Sequence, residues 1–165
     1  MTDFVATSYP LVTDDKNELD HIIDAVPSAP YNTTGEKPVA YVFGHGLWND
    51  LEVNMTHQWY ETIESTMRNK APWLFETSTP FPRLFITPTA SGVHKPEMFW
   101  ASQGNLAMKQ FEESIGPWAE DRGMDHLGMF NASIQYNSYD GTHGGMKMGL
   151  LKAMMVLNWL NTFEF

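Results

Sequence analysis

Asp140 and His143 stand three residues apart in Asn137-Ser138-Tyr139-Asp140-Gly141-Thr142-His143-Gly144-Gly145, a glycine-rich stretch ahead of the apolar segment Met146 to Leu160. A carboxylate at that spacing can fix the tautomer of an imidazole and stabilise the cation formed when the ring accepts a proton. The glycines let the chain turn sharply and keep the His143 ring accessible. This is half of a hydrolytic triad, with the nucleophile still to be found. The same residues also suit a plain helix start, with Asp, Thr or Gly near the N-cap. Four residues alone leave both readings open. A metal site is disfavoured, because no second His/Asp cluster has ligand spacing and the chain has no cysteine.

The totals bound the function classes. At 165 residues the chain is expected to be one domain with a real core. Its composition, 42% hydrophobic and 13% aromatic, is that of a folded protein. A net charge of -10 argues against nucleic acid or an anionic membrane surface as partner. The absence of cysteine removes disulfides and thiol catalysis. The opening residues do not read as a signal peptide, and no apolar run is long enough to span a bilayer. The longest, Met148 to Leu160, is interrupted by Lys152 and Asn158 and reads as a core helix. Sequons at Asn32, Asn54 and Asn131 would accept glycans only in a secretory lumen, so the compartment is argued weakly.

The elements that would position the pair follow from periodicity and punctuation. Asp3 to Ser8 reads as a short strand and Asp14 to Ala25 as a weakly patterned helix, followed by an irregular stretch to residue 37. Residues 38–165 form the expected βαβαβα body. Pro38 to Phe43 is a continuous apolar run, the mark of a strand covered on both faces. Thr56 to Arg68 is expected to be a helix, and Arg83 to Thr87 a second buried strand. Ala101 to Arg122 reads as one long amphipathic helix with a kink at Gly116-Pro117, and Leu127 to Phe130 as a third strand. Alternating strands and helices imply an α/β fold with a mostly parallel sheet. Ligands in such sheets sit beyond the carboxyl ends of the strands. Three loops leave those ends, at Gly44 to Asp50, Pro88 to His94 and Asn131 to His143, and are expected to converge.

Gly46-Leu47-Trp48-Asn49-Asp50 and Asp140-x-x-His143 resemble two blocks of the SGNH/GDSL hydrolase superfamily. The runs Ile86 to Gly92, Ser102 to Asn105 and Leu151 to Leu160 are similar to fungal members of the polysaccharide O-acetyl esterase and acetyltransferase type. The resemblance covers roughly residues 38 to 165. It implies a three-layer, flavodoxin-like sheet, with His143 as general base and Asp140 as the carboxylate that orients it. Asn49 and the Gly46 backbone N–H would face the oxyanion of an ester's tetrahedral intermediate. Asn49 reads equally well as a side chain capping its own loop.

One departure from the family pattern decides the rest. The family's nucleophile sits in a Gly-Asp-Ser block, and neither that block nor a Gly-x-Ser-x-Gly elbow occurs here. Ser8 is followed by Tyr9-Pro10 in place of a glycine turn, and Ser91 lies in the wrong block. Both are weak nucleophile candidates. The implied sheet then lacks its first strand and exposes the edge of the Pro38 to Phe43 strand. That edge would be covered by the first segment, by another chain, or by a preceding segment of a longer protein.

Three functions compete. The first is an esterase or O-acetyltransferase acting on acylated carbohydrate, inactive or nearly so as this chain, since hydrolysis needs an activated nucleophile. The second is a non-catalytic carbohydrate-binding or interaction domain of the same fold, with Trp48, Trp59, Trp73, Phe99 and Trp100 as stacking candidates, although aromatics at such spacings more often fill cores. A metal site using His45, His94 and His143 ranks last. No cofactor is implied.

Overall fold

Arg83-Leu84-Phe85-Ile86 is short, branched and apolar, and it forms the central strand of the sheet. In the computed structural model, which describes residues 40–76, 81–136, 138 and 140–163, Leu84 and Phe85 of this strand are fully buried. Among the described residues the sheet has three parallel strands in the order β1 (Tyr41–Gly44), β2 (Arg83–Ile86) and β3 (Asp125–Leu127). Tyr41 to Gly44 pair with Arg83 to Ile86 in register, and Leu84 to Ile86 pair with Asp125 to Leu127. The helices are α1 (Val53–Lys70), α2 (Trp100–Gln103), α3 (Asn105–Asp121), α4 (Phe130–Ser133) and α5 (Gly145–Leu160). Parallel strands linked through helices make this an α/β protein. The expected strand Asp3 to Ser8, the helix Asp14 to Ala25, Ser8 and the Asn32 sequon lie outside the described residues.

The chain clusters into two compact units, residues 1–39 with Asn54–Phe81, and Ala40–Val53 with Pro82–Phe165. The first contains nearly all of α1, whose Trp59, Tyr60, Ile63 and Met67 are buried at helical spacing. The second contains the whole sheet and the three strand-end loops. Its core is Phe43, Leu84 and Phe85 from the sheet, Met108, Phe111, Ile115 and Ala119 from α3, and Met129, Phe130 and Met148. No helix among the described residues is long and apolar enough to cross a membrane.

Four expectations are corrected, the first being the core helix Met148 to Leu160: α5 buries only Met148, and Leu150, Met154 and Leu157 face outward. The described part of the expected Pro38 to Phe43 strand is not covered on both faces. Only Phe43 of β1 is buried and Val42 is 47% exposed, because β1 stands at the edge of the described sheet and pairs there with β2 alone. The single helix Ala101 to Arg122 is two. Gly104 takes an extended ψ of 174° between α2 and α3, and a Cβ there would lie 2.3 Å from the Trp100 carbonyl oxygen. By contrast α3 runs on through Pro117. The third strand ends at Leu127, not Phe130. The Met129 N–H bonds to Thr87 Oγ1 at 3.2 Å and the Phe130 N–H to Glu112 Oε2 at 2.9 Å, so neither joins the ladder.

Candidate functional site

The loop after β1 is held in a shape that most side chains resist. Gly46 has φ 133°, and a Cβ on it would meet the Phe111 ring at 2.8 Å. Its carbonyl accepts the N–H groups of Asn49 and Leu51, which closes the turn. Asp50 and Leu51 follow with φ of 52° and 61°, left-handed values that cost a non-glycine residue about 1–2 kcal/mol each.

The second loop, Pro88 to Pro96, is tied to its neighbours by main-chain donors. The Ala90 N–H donates to Ser133 Oγ at 2.7 Å, the Ser91 N–H to Asn105 Oδ1 at 2.7 Å, and the Gly92 N–H to the Gly141 carbonyl at 3.0 Å. Beneath it, Thr87 Oγ1 donates to Glu112 Oε2 at 2.7 Å. The third loop crosses the second at Gly141, whose φ is +82°. Ser138 Oγ fills the space beside Gly92, buried and with no hydrogen-bond partner among the described residues.

Asp140 and His143 come together within this third loop. Asp140 Oδ2 lies 2.5 Å from His143 Nδ1, while its Oδ1 accepts the backbone N–H of Thr142 at 2.9 Å and of His143 at 2.7 Å. A carboxylate with all these donors is favoured in its charged form. The His143 side-chain bond, then the His143 and Thr142 backbone bonds, hold the Asp140 carboxyl well below the usual range. The arrangement fixes the ring with Nδ1 toward the carboxylate and Nε2 directed away from it. Both side chains meet solvent, His143 at 68% and Asp140 at 37% exposure.

No protein-family model matches the chain, and no curated protein or solved structure matches it. The site therefore has to be read from its own geometry.

The remaining sequence candidates are placed as follows. Asn49 is buried and its Nδ2 donates to the Glu52 carbonyl at 3.0 Å, the geometry of a side chain capping its own loop. Gly46 contributes its carbonyl to the same turn. Ser91 lines an open cavity of about 510 Å³ together with Gly92, Lys95, Trp100, Asn105 and Leu106. Among the stacking candidates, Trp59 is buried, while Trp48 and Trp100 are 90% and 57% exposed. Among the described residues no group of three or more His, Cys, Asp or Glu side chains is placed to hold a metal ion.

What sequence reasoning missed is the buried lysine between the loops. Lys95 is 5% exposed, and its Nζ donates to Gln103 Oε1 at 2.6 Å and Thr142 Oγ1 at 2.9 Å. Gln103 Nε2 in turn donates to the Leu47 carbonyl at 2.9 Å and to Asp50 Oδ1 at 2.8 Å. Burial pushes the Lys95 ammonium down, and the Asp140 and Asp50 carboxylates oppose that shift. The one sequence signal was a lysine with no charged neighbour in a loop between His94 and Pro96.

Proposed function

We propose that the sheet-bearing unit carries the base half of an acyl-transfer site, that of an SGNH-type esterase or O-acetyltransferase acting on acylated carbohydrate. The observation that carries this reading is the 2.5 Å contact between Asp140 Oδ2 and His143 Nδ1, in a loop beyond the carboxyl ends of parallel strands. The finer fold that goes with it is a three-layer, flavodoxin-like sheet continued past the edge of β1.

In this mechanism His143 Nε2 takes the proton of a hydroxyl as its oxygen attacks the acyl carbon. The carbon–oxygen bond to the sugar then breaks, and the proton passes from Nε2 to the departing sugar oxygen. Water or a second sugar hydroxyl, deprotonated by the same nitrogen, then attacks the acyl carbon; the bond to the nucleophile's oxygen breaks, and the proton returns from Nε2 to that oxygen. Asp140 keeps Nδ1 protonated throughout and balances the imidazolium. The oxyanion would need the Gly46 N–H and an Asn49 amide turned out of its present bond to Glu52. With Ser138 buried and Ser91 outside the family block, the chain carries a base without an assigned nucleophile. The test is p-nitrophenyl acetate hydrolysis by the chain and by His143→Ala. Equal, near-background rates are expected. Turnover abolished in the variant would show that a nucleophile is already present.

A second reading, binding without chemistry, has its own observation. Trp100 is exposed while its Nε1–H is fixed on the Lys95 carbonyl at 2.7 Å, which restrains the ring at little entropic cost to a stacking partner. Titration with acetylated and deacetylated oligosaccharides, followed by tryptophan fluorescence, distinguishes the two. A shift lost in Trp100→Ala, without turnover, favours binding.

A further inference from the structure

We infer that Lys95 is a positioning residue for the Asp140–His143 pair, tying the third loop to the first through Thr142 and Gln103. The inference rests on the acyl-transfer reading for its purpose, but its geometry stands on contacts that the reading does not use.

An ammonium group removed from water needs partners for its donors. Lys95 Nζ donates two hydrogen bonds, to Gln103 Oε1 and Thr142 Oγ1, with the Phe99 ring centroid at 5.5 Å and the Asp50 and Asp140 carboxylates as through-space partners. The two acceptors belong to different pieces of the site. Gln103 ends α2 and reaches back to Leu47 and Asp50 in the first loop. Thr142 sits between Asp140 and His143, and its own N–H is one of the two that hold Asp140 Oδ1. A displacement of the ammonium is therefore passed through one residue to the carboxylate that sets the ring.

The same crossing is reinforced by the main chain. A Cβ on Gly141 would lie 2.0 Å from the Lys95 nitrogen, and the Gly141 carbonyl accepts the Gly92 N–H. The lysine side chain and the backbone contact fasten the two loops at adjacent points. The left-handed Asp50 gains a reason as well, because its carboxylate accepts from both Ser102 Oγ and Gln103 Nε2.

The experiment is an NMR titration of the full chain that follows the Asp140 side-chain carbon and the exchange of the Thr142 and His143 amides, so it reads no turnover. In Lys95→Met the Asp140 midpoint should rise and the two amides should exchange at least about tenfold faster, while Lys147→Met at the exposed start of α5 changes neither. A folded Lys95→Met chain with both readouts unchanged overturns the inference. Should Lys95→Met not fold, Thr142→Val keeps the ammonium and removes its acceptor. Faster exchange at residues 142 and 143 then supports the inference, and unchanged exchange overturns it. Failure here leaves the acyl-transfer reading standing, and neither outcome of the hydrolysis assay bears on the Lys95 contacts.

Discussion

Gly141 and the main chain of Lys95 approach so closely that a single methyl at position 141 would sit 2.0 Å from the Lys95 nitrogen. Its φ of +82° adds a left-handed penalty for any other residue. Gly141→Ala should destabilise the protein by roughly 2–5 kcal/mol, combining backbone strain with overpacking. Urea denaturation measures it, and a change under about 1 kcal/mol would show that the loops part easily.

Acid should loosen the pair from the carboxylate side. The Asp140 carboxyl is held low by its bonds to His143 and Thr142. Its contribution is therefore present above the unfolded value near 3.9 and lost as pH falls through the lower native value. The Asp140 side-chain carbon should titrate below free aspartate, and His143→Ala should move the midpoint up. A midpoint at or above about 4 in the unmodified chain would contradict the geometry.

His45 gives a second acid-linked loss at a higher pH. Burial pushes it from 6.5 down to about 4, so it is neutral in the fold and takes up a proton on unfolding. Stability from this group is complete above about 6.5 and is lost as pH falls toward 4. His45→Gln should flatten the stability profile across that window, as followed by urea midpoints at pH 7, 5.5 and 4.5. An unchanged slope would exclude His45 as the source.

Thr87 joins three elements with one hydroxyl. It donates to Glu112 on α3 and accepts the Met129 N–H, in a site that is 1% exposed. Thr87→Val keeps the shape but strands a buried donor and weakens the tie to a carboxylate. The expected cost is about 1–3 kcal/mol, with faster amide exchange at Met129. A neutral effect would mean that water replaces the hydroxyl.

Helix α5 separates apolar character from burial. Met146, Leu150, Met154 and Leu157 are spaced along one face and 58–83% exposed, whereas Met148 is 3% exposed. Met148→Ala should cost about 2–4 kcal/mol, and Leu150→Glu should stay within about 0.5 kcal/mol in thermal melts of dilute protein.

The sequence carried the parts of this architecture that depend on local pattern. The Ile63 and Met67 spacing, the apolar run at Leu84 and Phe85 and the glycines around Asp140 each announced their element. The Asp140–His143 contact was legible because both residues lie in one loop. Three features were not. The break at Gly104 depends on a clash with the Trp100 carbonyl, and the end of β3 on donors claimed by Thr87 and Glu112 from elsewhere in the chain. Lys95 meets Thr142 across 47 residues, and no spacing rule records a contact of that kind. Similarly, the apolar text of α5 reads as core, yet most of it faces outward among the described residues.

The openness of the His143 ring sets the dielectric in which its charge is felt. Two unit charges 4 Å apart attract by about 1 kcal/mol in bulk water and by about 4 kcal/mol at an effective permittivity of 20. A polymer or partner protein that settles over the imidazole and expels solvent would strengthen its grip on Asp140 several-fold without moving an atom. The strength of this pairing is then a property of whatever covers it as much as of the chain that presents it.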